Sequence, residues 1–289
     1  MSLETRLLHS SHGGSPSTPR FLRLRTASFG DRLALACFAA ITIIALAGPF
    51  LAPHSATIPI GSSFAPPQYK FPFGTDEIGR DILSRVLYGA QRSWLAALAV
   101  IASGVFIGGL VGLVAGALGG WADMILMRTT DAFLALPSSI LAIAVAAALG
   151  PSFTHSLVAV GIVWWPYYAR IVRGEIRALA VRPNVEAARL AGVKRLRLWR
   201  RHLLPGAIPV IVVAASLDVG ALVLTLAGLS FLGLGSPQPA PELGAMTAQG
   251  LAYQLSDWWI PVFPAIALFA LAAVGNLGGD AVRNLLRNR

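Results

Sequence analysis

Ser93 to Ala122 reads SWLAALAVIASGVFIGGLVGLVAGALGGWA, thirty residues without one Asp, Glu, Lys or Arg. A helix needs about 20 predominantly apolar residues to cross the hydrocarbon core of a bilayer. This stretch is long enough to do so. It also carries Gly104, Gly108, Gly109, Gly112 and Gly116, two of whose spacings are GxxxG (Gly108 with Gly112, Gly112 with Gly116). Lipid supplies no hydrophobic drive between helices, so close backbone approach needs residues this small. The glycines fit tight packing within the subunit, or a pore lining or subunit interface.

The same test finds more spans on either side. Leu33 to Leu51 passes, and Ala132 to Ala169 is free of charge and long enough for two spans, with a Gly150-Pro151-Ser152 turn near its middle. His202 to Leu232 holds one acid, Asp218, and Trp258 to Gly279 holds none. The expectation is an all-α polytopic membrane protein with six spans at about 33–51, 94–118, 132–149, 156–173, 208–232 and 260–278. Trp94, Trp121, Trp164, Trp165, Trp258 and Trp259 fall near span ends, where interfacial aromatic belts form.

Composition agrees. Of 289 residues, 55% are hydrophobic and 12% charged, against about 25% charged in a soluble domain. Residues 1–30 are polar and rich in Ser, Gly and Pro, and read as a disordered cytoplasmic tail without a signal-peptide cleavage site. Cys37 is the single cysteine, so neither an internal disulfide nor a cysteine metal cluster can form. The net charge of +10 sits in short loops between bilayer-length segments, which points to anionic lipid or a cytoplasmic protein rather than nucleic acid. Arg170 to Arg201 alone holds ten Lys or Arg against Glu175 and Glu186, whereas residues 233–257 hold only Glu242 and Asp257 as charges. The positive-inside rule then places both termini and this basic loop in the cytoplasm.

No chemistry is legible. A phosphate-binding loop needs Gly before its Lys and Ser or Thr after it, and neither Lys70 nor Lys194 has them. HExxH and GxSxG are absent too. The expectation is no catalytic residue, no metal site and no cofactor on this chain. Within the basic loop, Pro183 suits a helix start and Glu186 its first turn, Ala187 and Ala188 favour helix, and Gly192 interrupts it. By composition this is either a docking element or a topology signal and nothing more.

Glu186-Ala187-Ala188-x-x-x-Gly192, with Pro205 thirteen residues on, resembles the EAA signature of ABC importer permeases. His202 stands where that pattern often has Ile. Phe73-Gly74-Thr75-Asp76-Glu77-Ile78-Gly79-Arg80-Asp81-Ile82-Leu83-Ser84-Arg85, Leu229-Ser230-Phe231-Leu232-Gly233-Leu234-Gly235 and Asn276-Leu277-Gly278-Gly279-Asp280 are similar to blocks of the dipeptide, oligopeptide and nickel permeases, C-type subunit. Two departures stand out: Leu226, where many relatives have Glu, and Leu243, where many have Trp.

The resemblance implies a type I importer permease domain over residues 31–289, with a coupling loop at about 174–205. Glu186, Ala187, Ala188, Gly192 and Pro205 would couple it to the ATPases. Its implied partners are a second homologous permease, two ATPase subunits that bind ATP and Mg, and an extracytoplasmic substrate-binding protein. Asp218 and Ser230 are candidates for the translocation path or its gate. Asp76, Arg80 and Asp81 are candidates for outer-face docking of the binding protein. Peptide cargo competes with nickel or another small solute, and a secondary transporter is the more distant alternative.

Overall fold

The computed structural model describes residues 28–287; the proposed N-terminal tail lies outside them, apart from its last three positions. Among the described residues the chain is helical, with only two isolated β-bridges. α1 (Phe29–Leu51) starts at a capping box, in which Ser28 Oγ accepts the Asp31 amide and the Asp31 carboxylate accepts the Ser28 amide. α2 (Ile82–Leu118) is capped by Asp81, whose carboxylate accepts the Ser84 amide at 3.1 Å. Then come α3 (Gly120–Leu134), α4 (Ser138–Leu149), α5 (Phe153–Ala180), α6 (Pro183–Leu190) and α7 (Arg195–Leu198). A π turn over Trp199–Leu203 joins α7 to α8 (Leu204–Phe231); α9 (Leu243–Gly250) and α10 (Trp259–Arg287) complete the chain.

Among the described residues, four helices are long and apolar enough to cross a membrane: Phe29–Leu51, Ile82–Leu118, Arg195–Phe231 and Trp259–Leu286. The span expected at 132–149 is not one rod. α3 and α4 meet at 84° across the break before Ser138, because Pro137 cannot extend a helix and disfavours a helical conformation in the residue before it. The span expected at 156–173 lies within α5, which runs on to Ala180 and so carries Arg170, Arg173, Glu175 and Arg177 as helical residues. The basic loop therefore begins about ten residues later than its charges suggest.

The glycines of α2 pack within the subunit. A Cβ at Gly108 would lie 2.3 Å from the Trp165 carbonyl oxygen, and one at Gly112 2.5 Å from that of Ala169. Gly104 faces the Tyr168 ring and Gly116 faces Ile176. These four residues, spaced by four, form one groove into which the α5 backbone settles. Gly109, one position round the helix, meets nothing within 4 Å.

Polar contacts fix the order of the two ends. Asn284 near the end of α10 donates to Asp31 at the start of α1 at 3.0 Å, so the two ends of the described chain share one face. At the other face His54 N donates to Ser84 Oγ at 3.0 Å, Ser152 N to Leu234 O at 3.2 Å, and Trp259 Nε1 to Thr75 O at 3.3 Å. Two apolar clusters lie between. The larger gathers Trp94, Leu222, Leu226 and Leu243; the smaller gathers Val172, Ile176, Val185 and Leu203 beside α6. Trp94 is fully buried and Trp259 nearly so, so these two are core residues rather than belt residues; Trp121 and Trp258 are exposed.

Candidate coupling and pathway sites

α6 is an eight-residue helix with Pro183 in its first turn and Glu186 just behind it. Its ending is a Schellman motif: Gly192 N donates to Arg189 O, and Val193 N to Ala188 O, both at 3.1 Å. The motif demands a left-handed residue, and Gly192 has φ +76°. Val185 is buried in the smaller cluster, with Ala188 and Val193 packed against it. Glu186, Ala187, Arg189 and Leu190 face outward, Leu190 being 88% exposed. An apolar foot at Val185, with Ala188 beside it, thus anchors a helix whose outward surface is covered by none of the described residues.

Pro205 stands in the first turn of α8, just after the π turn. Leu204 N reaches back five residues to Trp199 O. Pro205 has no amide to give to Arg201, and its ring would crowd that carbonyl in an ordinary α turn; the wider turn relieves both problems. Of the five residues of the expected coupling motif, Glu186 and Ala187 lie on the outward surface. Ala188 faces the cluster, Gly192 stops the helix and Pro205 shapes the entry to α8.

Three of the ten basic residues are already engaged. Asp123 of α3 accepts from Arg173 and Arg177, and Asp131 pairs with Arg170 at 2.6 Å. They staple α3 along α5.

The outer candidates belong to the interior. Asp76, Arg80 and Asp81 are 4%, 1% and 0% exposed. Asp76 accepts from Arg80 and pairs with Arg85 at 3.6 Å. Arg85 donates to the carbonyls of Ala56 and Pro239, at 2.8 and 3.3 Å. Arg80 reaches Glu77 at 3.2 Å and Gln238 at 3.4 Å. Asp81 spends one carboxylate oxygen on the α2 cap and on His54. The three residues tie the 52–81 segment to α2 and to the loop before α9. Burial leaves these side chains almost no exposed surface on this chain, and Arg80 Nη1 and Asp81 Oδ1 have no hydrogen-bond partner among the described residues.

Ser230 is also buried, at 2% exposure, and donates to the carboxylate of Glu242. The other Glu242 oxygen accepts the Ser236 amide at 2.7 Å. Leu226, where the acid of many relatives would stand, lies in the larger cluster with Leu243. The carboxylate beside Ser230 therefore comes from a residue twelve positions on, a pairing that no local spacing announces. Asp218 is half-buried between α5 and α8 and accepts from Trp164 Nε1 at 3.0 Å and Tyr168 Oη at 2.8 Å. Trp164 and Tyr168 stand four residues apart on α5, and nothing local in the sequence ties either of them to Asp218.

A helical bundle with a broken third pass and a short exposed helix before its penultimate pass is the plan of an importer permease. The MetNI methionine ABC transporter, solved in inward-facing conformations, shares this fold at TM-score 0.54 and 22% identity, over 69% of this chain and 95% of that one. An amino acid ABC transporter solved with histidines matches at TM-score 0.54 and 20% identity, over 71% and 94%.

Residues 108–289 match the family described as binding-protein-dependent transport system inner membrane component, and the chain belongs to it. A probable D,D-dipeptide transport system permease protein, DdpC of Escherichia coli K12, is 44% identical over 82% of this chain and 80% of its own. A putative peptide transport system permease of Brucella suis is 37% identical over 96% and 93%. The glutathione transport system permease GsiD of Pectobacterium atrosepticum is 40% identical over 74% and 71%. The protein is thus the multi-pass permease component of an ABC importer; ATP hydrolysis belongs to a separate subunit.

Proposed function

We propose that the chain forms half of a translocation pathway for short peptides in the bacterial inner membrane, with both termini in the cytoplasm. Its partners are a second homologous permease, two ATPases that hold the ATP and Mg, and an extracytoplasmic binding protein. Relatives named for dipeptide and peptide transport support the cargo. The observation that carries the coupling is the outward face of α6, which offers Glu186, Ala187 and Leu190 beyond a single buried foot at Val185. A groove on an ATPase would take that face. Only Val181 and Arg182 separate α6 from the end of α5, so movement of the groove is delivered to a spanning helix rather than lost in slack chain. Driving alternating access requires the ATPases to grip α6 differently in their open and closed states; equal grip would shift nothing.

The test is co-purification of the ATPases with the permease pair. Glu186→Arg and Gly192→Trp should each reduce the recovered complex and its transport-coupled ATPase activity at least about tenfold, a loss of about 1.4 kcal/mol of association. Recovery at the wild-type level for both would refute α6 as the joint.

A further inference from the structure

Asp218 lies at the midpoint of the 28-residue α8, where a charge is most costly in a membrane protein and where such a residue faces a cavity or a partner. Its hydrogen bonds are lopsided. Oδ2 accepts both Trp164 Nε1 and Tyr168 Oη. Oδ1 accepts from no described residue and is not sealed off from the surface. No described Lys, Arg or His forms an ion pair with it. Two neutral donors hold the carboxylate in a fixed orientation and leave its charge uncompensated.

The surroundings are aromatic. Trp164 and Tyr168 flank the carboxylate, and the Tyr167 ring packs edge-on against Tyr168 at 5.7 Å while remaining 44% exposed. A carboxylate with one open oxygen and no ion-pair partner attracts a cation that can donate hydrogen bonds to it. The same site repels an anion. Towards the outer end of α8, Ala221, Thr225 and Gly228 continue the face of Asp218 at helical spacing. Gly228 has nothing opposite it within 4 Å.

We propose that Asp218, framed by Trp164, Tyr167 and Tyr168, is a cargo-recognition site for a primary ammonium, the free amino terminus of the peptide in transit. The assignment rests on the peptide reading above. Asp218 sets specificity through its open Oδ1, while Trp164 and Tyr168 position it.

The experiment uses the complete importer in nanodiscs, and measures direct binding of radiolabelled L-Ala-L-Ala and of its N-acetyl derivative without the binding protein. Wild type should favour the free dipeptide at least about tenfold. Asp218→Asn keeps the shape and an acceptor oxygen for the two donors; it should abolish that preference, and Asp218→Glu should restore part of it. Tyr168→Phe, which frees the carboxylate to turn, should reduce the preference without abolishing it. An unchanged preference in Asp218→Asn would overturn the assignment. So would Asp218→Asn that dissociates the two permeases while the preference survives, since Asp218 would then pair with a cation of the second permease. Wild type that binds neither dipeptide would overturn the site, whereas wild type that transports neither when supplied with its binding protein would overturn the peptide reading itself.

Discussion

Gly108→Ala and Gly109→Ala differ by one position, and the structure gives them opposite consequences. A methyl at residue 108 would lie 2.3 Å from the Trp165 carbonyl oxygen, 2.7 Å from Tyr168 Cβ and 2.9 Å from the Ala169 amide nitrogen. Carbon and carbonyl oxygen settle at about 3.3–3.6 Å, so α2 and α5 must part by about 1 Å at this point. Two of the three atoms met are backbone, which cannot rotate away. Overpacking of this kind costs about 1–3 kcal/mol. Residue 109 has open space, so its methyl meets no such obstacle. Replacing helical Gly by Ala gains up to about 1 kcal/mol at either position, and that gain cancels in the comparison. Gly109→Ala should therefore exceed Gly108→Ala in stability by about 1–3 kcal/mol. Denaturant unfolding of the purified permease in mixed micelles, followed by tryptophan fluorescence, measures the difference. Equal stabilities, or Gly108→Ala the more stable, would refute the close approach of α2 and α5.

Other outcomes follow from the same geometry. Gly192→Ala forces a side chain into φ +76° and should destabilise the end of α6 by about 1–2 kcal/mol, with Gly192→Asn milder; protease cleavage between residues 190 and 197 reports it. Asp123→Ala leaves Arg173 and Arg177 unmatched and should loosen α3 from α5 by about 1–3 kcal/mol. It should raise hydrogen exchange across Gly120–Leu134 more than across α2. Ser84→Ala removes the hydroxyl that binds both Asp81 and the His54 amide, and should cost about 1 kcal/mol in the unfolding assay. Asp81→Ala strips the α2 cap itself and should cost about as much or more.

What could be read in the sequence was whatever depends on contiguous residues. The apolar stretch from Ser93 announced α2, and Glu186, Gly192 and Pro205 outlined the helix, its stop and the next entry. Partnerships across the chain were hidden. Asp76, Arg80 and Asp81 looked like an accessible charged motif because their spacing is local. Their burial depends on Ala56, Gln238 and Pro239, which lie far away in sequence. The ten basic residues up to Arg201 looked like one loop because charge was taken to mark its edge. Three of them instead satisfy Asp123 and Asp131 on the preceding helix. The break at Pro137 was hidden inside a charge-free run, where apolarity says nothing about direction.

The two-residue join between α5 and α6 makes the pair behave as a crank. At about 1.5 Å per residue α5 is a rod of about 42 Å, so tilting it by about 5° sweeps its far end through nearly 4 Å. The rod does not turn alone: α2 rides in contact with it along the glycine groove, and α3 is fastened to it by Asp123 and Asp131. α8 is held to the same rod by two hydrogen bonds at Asp218 among its polar contacts. If α6 is gripped as proposed, a force on it would reach α2, α3 and α8 through α5, the one helix that touches all of them.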